Sequence, residues 1–90
     1  MEIEIHIPDA HSLKDKRQLR LSLSNRLRGR FNLSVAEIGS HDIWNRLELC
    51  IAYVAINQTA AERMRDTIET ALDEWVESLA VITRIDSDIT

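Results

Sequence analysis

The chain has 90 residues, of which 44% are hydrophobic and 29% charged, and its formal net charge is −4. This length predicts one domain, residues 1–90, built around a single core. No apolar run approaches the roughly 20 residues that cross a bilayer, the amino terminus does not resemble a secretory signal, and Cys50 has no partner for an internal disulfide, so we expect a cytoplasmic protein without membrane contact.

Alternation at the amino terminus predicts the first strand over residues 1–8. Ile3, Ile5 and Ile7 share one face, whereas the residues between them are polar. Ser12 is a favourable helix N-cap, with an acid three residues later. Leucines then recur every four residues as far as Phe31, which predicts an amphipathic first helix of about five turns.

Two strands are predicted in the middle of the chain. The first covers residues 33–38 and is followed by a turn at 39–42. The second runs from about Trp44 to Ile56 and has apolar residues on both faces, which is typical of a central strand.

Residues 57–89 predict a second helix and a last strand. Asn57 and Thr59 are candidate caps, and the last strand alternates from Val81 to Ile89. The helix has an acidic outer face and a predicted buried stripe at Ala60, Met64, Ile68, Ala71, Leu72, Trp75 and Leu79.

The order strand, helix, strand, strand, helix, strand predicts an α+β fold. With right-handed crossovers, both helices cover one face of a four-stranded antiparallel sheet. The expected architecture is a ferredoxin-like βαββαβ sandwich with strand order 4-1-3-2, and the other face of the sheet is left open.

Two stretches carry a family resemblance. Residues 5–17 read IHIPDAHSLKDKR, and residues 30–49 read RFNLSVAEIGSHDIWNRLEL. The strings SLKDKR and DxWxR, in this order and spacing, resemble the YlxP-like family of small bacterial cytoplasmic proteins with a ferredoxin-like fold. The second half of the chain matches mostly by pattern, and Gly29 stands where such sequences often have a polar residue.

The resemblance does not imply a particular biochemical activity, because none is established for the family. Its genes often lie beside those for transcription elongation, translation initiation and ribosome maturation. The resemblance therefore implies a role around RNA or ribosomes.

Positive charge is concentrated in the first helix. Seven of the eleven Lys and Arg residues fall between Lys14 and Arg30, where Asp15 is the one acid. Such a ridge can follow phosphates. The alternative interpretation is that these residues are solvated, or compensated by the acidic second helix. The candidate RNA- or partner-binding residues are Lys14, Lys16, Arg17, Arg20 and Arg28, with Arg46 as an outlying contact.

The open sheet face is the candidate homodimer interface. Trp44 on this face has three interpretations: a dimer anchor, local packing, or a platform on which a base stacks. Cys50, Ala52, Val54 and Ile82 are expected to leave an apolar patch beside it, and such patches commonly mark association. The predicted interface residues are Trp44, Cys50, Ala52 and Val54.

Catalytic and cofactor sites are not predicted. No glycine-rich phosphate loop, nucleophile elbow or paired-cysteine motif occurs. His6 with Glu2 and Glu4 is at most a partial metal site, because strand neighbours two apart rarely converge on one ion. We expect neither a metal nor a cofactor.

These observations predict a non-enzymatic binding module that forms a homodimer and associates with RNA or a ribonucleoprotein through its basic first helix. The alternative is a homodimeric protein–protein adaptor or regulatory subunit without a nucleic-acid role. A small-ligand sensor at the dimer interface is a third hypothesis.

Overall fold

The structure is a computed structural model that describes residues 1–77 and 79–87. Six elements follow one another: β1 (Glu2–His6), α1 (Leu13–Arg30), β2 (Ser34–Gly39), β3 (Arg46–Ala52), α2 (Gln58–Val76) and β4 (Val81–Asp86). The strands form one antiparallel sheet in the order β2-β3-β1-β4. The predicted ferredoxin-like fold and strand order are confirmed.

The core lies between the helices and one face of the sheet. Alternate residues of the two central strands, Ile3 and Ile5 in β1 and Leu47, Leu49 and Ile51 in β3, are completely buried. They form one cluster with apolar residues of both helices, among them Leu23, Leu27, Ile68 and Leu72. The opposite residues of each strand form the open face, as the alternation predicts.

Both helices begin at the predicted caps. The Ser12 hydroxyl accepts the backbone N–H of Asp15 at 3.2 Å, and the Asp15 carboxylate accepts the backbone N–H of His11 at 2.9 Å. The Asn57 side chain accepts the backbone N–H of Ala60 at 2.8 Å. The bonds to Ser12 and Asn57 satisfy donors that the first helical turn leaves without partners. Within the described residues, neither helix is long and apolar enough to span a bilayer.

The third strand is shorter at both ends than predicted. Residues 40–45 form a hairpin loop, closed by a hydrogen bond from the Ile43 N–H to the Ser40 carbonyl at 3.0 Å, so Trp44 lies in a turn and the prediction that it stands on the strand is wrong. Val54 follows the end of β3 and is 95% exposed. The strand stops because the neighbouring strands supply no partner beyond Ala52.

An irregularity in β4 changes which face its residues occupy. Glu4 pairs with Arg84 but Ile5 pairs with Ile82, so Thr83 is an additional residue in a β-bulge. Ile82 and Ile85 consequently both pack against the core. The prediction that Ile82 belongs to the open face is therefore wrong. The predicted end of this strand, residues 88–89, lies outside the described residues.

The buried stripe of α2 is confirmed at its centre and wrong at its end. Ile68, Ala71 and Leu72 are buried, but the helix ends at Val76 and Leu79 is 60% exposed. Glu77 adopts a positive φ of 27°, which turns the chain out of the helix before Leu79. Val76 and Ala80 fill the corresponding part of the core instead.

Candidate partner-binding surface

One flank of α1 faces α2. The Arg26 guanidinium lies 6.0 Å from the centre of the Trp75 ring. Arg30 lines a shallow cleft together with Asp66 and Glu74 of α2. The cations that approach the acidic helix are therefore Arg26 and Arg30, which were not among the predicted binding residues.

The other flank of α1 faces β2, which is an edge strand. Arg28 donates to the Val35 carbonyl at 3.1 Å, and Arg20 lies 3.6 Å from the Glu37 carboxylate. At 3.6 residues per turn, Arg17 projects on the same side as these two residues. We call Arg17, Arg20 and Arg28 the β2 flank.

The β2 flank is not neutralised by α2, because α2 packs against the opposite side of α1. Within residues 1–77 and 79–87, no ion pair joins the two helices, and no carboxylate lies within 4.0 Å of the guanidinium of Arg17 or Arg28. Arg17, Arg28 and the nearby Lys14 are exposed, whereas Ser24 between them is buried. Arg20 is partly compensated by Glu37.

Lys16 does not belong to this exposed set. It is 3% exposed, and its ammonium group lies 2.9 Å from the Glu37 carboxylate. It also donates to the backbone carbonyls of Ser40 at 2.6 Å and His41 at 3.2 Å. The Lys16 ammonium is buried against these three oxygens and is not accessible to a ligand, so we remove Lys16 from the candidate contacts. Its role is to attach the hairpin loop to α1.

The hairpin loop is held by further side chains. The Ser40 hydroxyl donates to Glu48 at 2.6 Å and accepts from Nε of Arg46 at 2.8 Å. A Cβ at Gly39 would collide with the Glu48 carboxylate, so a larger residue there would displace this carboxylate from the Ser40 hydroxyl. Arg46 is exposed but already engaged with the loop, and Trp44 is 49% exposed.

The open sheet face is charged at its centre. Arg84 lies within ion-pair distance of Glu4 (3.9 Å), Glu48 (3.6 Å) and Asp86 (2.6 Å). Cys50 is partly exposed and Ala52 exposed on the β3 part of this face. The expected apolar patch is smaller than predicted, because Ile82 and Val54 are not part of it. The homodimer itself stays a prediction.

Sequence patterns indicated part of this arrangement. Lys16 occupies the same side of α1 as Leu23 and Leu27, so the period of the helix places it towards the core. Its partner could not be inferred, because Glu37 is distant in sequence and lies on the neighbouring strand. No three His, Cys, Asp or Glu side chains in the described ranges are arranged to hold a metal ion.

Comparison with known proteins places the chain in a family. A family model described as "Protein of unknown function (DUF503)" matches residues 1–85. The chain is also 35% identical over 83 residues to "Uncharacterized protein YlxP" of Bacillus subtilis. The matched segment covers 92% of this chain and 90% of the Bacillus protein. The resemblance carried by the SLKDKR and DxWxR strings is therefore confirmed. The chain belongs to the DUF503 family, and the family model matches all but the last few residues of the chain.

Proposed function

We propose that this protein is a non-enzymatic cytoplasmic binding module that associates with RNA, alone or in a ribonucleoprotein, through the β2 flank and Lys14. The observation that supports the proposal is the placement of α2 against the opposite side of α1. The acidic helix α2 therefore does not cancel the positive electrostatic potential around the exposed guanidinium groups of Arg17 and Arg28, although the chain is acidic overall.

The geometry suits a polyanion better than a single anion. Arg17 and Arg28 are eleven residues apart on one helix, which separates them by about 16 Å along the axis. That distance takes in several phosphates of one nucleic-acid strand. The open sheet face has acids around Arg84 and repels phosphate, so RNA approaches from the α1 side.

Filter binding of structured RNA across a salt series tests this proposal. For the unmodified protein, log Kd should rise linearly with the logarithm of the salt concentration. Each lost phosphate contact lowers the slope by about 0.7 to 0.9. The variant R17A/R28A should therefore bind more weakly and reduce the slope by about 1.4 to 1.8, whereas R17E/R28E should abolish retention at moderate salt.

The matched control is R63E/R65E on α2, which changes the net charge by the same amount as R17E/R28E. It should retain most of the RNA binding, because α2 does not contribute to the β2 flank. Absence of retention at low salt, or equal losses in R17E/R28E and R63E/R65E, would contradict the proposal. Salt-dependent binding of an acidic protein in place of RNA would identify the adaptor alternative.

A homodimer formed through the open face is the second candidate property. It is supported by the uncovered β2–β3 part of the sheet, where small uncharged residues lie opposite one another. Ala36 pairs with Cys50, and Ser34 pairs with Ala52. A partner on this face leaves the β2 flank accessible, so dimerisation and RNA binding are compatible.

A further inference from the structure

The hairpin loop combines a fixed backbone with exposed apolar side chains. Its first two carbonyls accept from Lys16, and its Ser40 side chain is held by Arg46 and Glu48. The carbonyl of Asn45, at its other end, accepts the Ile7 N–H at 2.8 Å. Trp44 nevertheless remains about half exposed.

A loop fixed in this way is suited to recognition. Groups that are already ordered before binding lose little conformational entropy when a ligand docks on them. An indole carries a large apolar surface with few rotatable bonds, so it is an efficient contact when its backbone is rigid. Because Lys16 holds the loop backbone, Trp44 is presented to solvent from an ordered position.

The position of the loop indicates the chemistry of that contact. Lys16 attaches the loop to the amino-terminal half of α1, the same half of the helix that carries Lys14 and Arg17. Arg46 supplies a further exposed cation at the base of the loop. Single-stranded nucleic acids are bound by surfaces that combine exposed aromatic rings, on which bases stack, with Lys and Arg residues that pair with the phosphates.

We propose that Trp44 stacks on an unpaired base of the RNA that the β2 flank holds, and that Lys16 is the residue that positions Trp44. This inference rests on the proposed function, because it assigns to the same surface a preference for RNA with unpaired nucleotides. Neither residue is required for phosphate binding, which separates the two proposals experimentally.

Two RNAs with equal numbers of phosphates test the inference: a fully paired duplex and a duplex with an unpaired single-stranded extension. The unmodified protein should prefer the extended RNA, and W44A should lose roughly tenfold or more in affinity for it. The affinity of W44A for the paired duplex, and its salt slope, should stay unchanged. W44F keeps a ring and should retain most of the preference.

The positioning role of Lys16 is tested with K16M, which keeps the aliphatic stem. It should lose the preference for unpaired nucleotides while its salt slope stays the same, because Lys16 touches no phosphate. Stacking is observed directly by fluorescence in a W75F background, where Trp44 is the remaining tryptophan. The extended RNA should quench its emission and the paired duplex should not.

The outcomes distinguish the two proposals. RNA binding with a normal salt slope but equal affinities of W44A and the unmodified protein would overturn the stacking inference and leave the proposed function intact. Quenching by both RNAs would also overturn it. Absence of RNA binding by the unmodified protein would overturn the proposed function, and loss of self-association in W44A would assign Trp44 to a dimer interface instead.

Discussion

Neighbouring cations in α1 have opposite environments. Lys16 is buried against the hairpin loop, whereas Arg17 is exposed on the β2 flank. A helical residue turns by about 100° relative to the one before it, so one step in sequence moves a side chain from the core edge to solvent. Counting charges along the segment therefore overestimates the number available to a ligand.

Substitution of Lys16 should cost stability because it removes one partner from a buried ion pair. We expect K16M to lower the free energy of unfolding by about 3 kcal/mol, measured by urea denaturation. R17M is the matched control at the adjacent exposed position and should change stability by less than about 0.5 kcal/mol. Equal effects in the two variants would contradict the buried role of Lys16.

A double variant identifies the source of the loss. Replacing Glu37 together with Lys16, as K16M/E37L, removes both charges and should recover part of the stability lost in K16M. Full additivity of the two single effects would instead indicate that Lys16 acts mainly through the Ser40 and His41 carbonyls.

The helices and strands were predictable to different degrees. Ser12 and Asn57 both cap helices as expected, because capping depends on local sequence. The bulge at Thr83 was not predictable, since an extra residue in β4 is defined only by its register with β1. Strict alternation consequently placed Ile82 on the wrong face. Similarly, the ends of β3 depend on the lengths of its neighbours.

The two glycines differ in what a side chain would meet. A Cβ at Gly29 in the last turns of α1 meets nothing within 4 Å, and alanine is the better helix former. We expect G29A to stabilise the protein by about 0.5 kcal/mol, or a rise in Tm of about 2–4 °C, measured by thermal unfolding. G39A should be destabilising because the added methyl group displaces the Glu48 carboxylate from the Ser40 hydroxyl. A lower Tm for G29A would be inconsistent with the open space around Gly29.

At the scale of the whole molecule, charge is divided between two segments of the chain. The segment 11–46 has eight Lys and Arg against three acids, while residues 58–90 have an acidic excess. The sequence predicted this division but not its geometry, because it does not state which flank of α1 meets α2. The contact of Arg26 with Trp75 supplies that geometry.

The open face of the sheet is the proposed homodimer interface, and it leads to a prediction about the oligomeric state. We expect the protein to sediment as a homodimer and A52E to sediment as a monomer, because the substitution places a charge in the uncovered β2–β3 part of the face. T70E introduces the same charge on the exposed side of α2 and should remain dimeric. A monomeric unmodified protein at all concentrations, or a dimeric A52E, would rule out this interface.

The burial of the Lys16 ammonium against two loop carbonyls and the Glu37 carboxylate also affects how an alanine scan of the first helix should be interpreted. Removing that side chain would disturb the loop and the tryptophan it carries, in addition to the fold. With RNA that has unpaired nucleotides, a large loss of affinity would then fall at a buried position that contacts no ligand. The largest effects would then report contacts within the domain, and the residues that touch the partner would be identified by the smaller effects at neighbouring exposed positions.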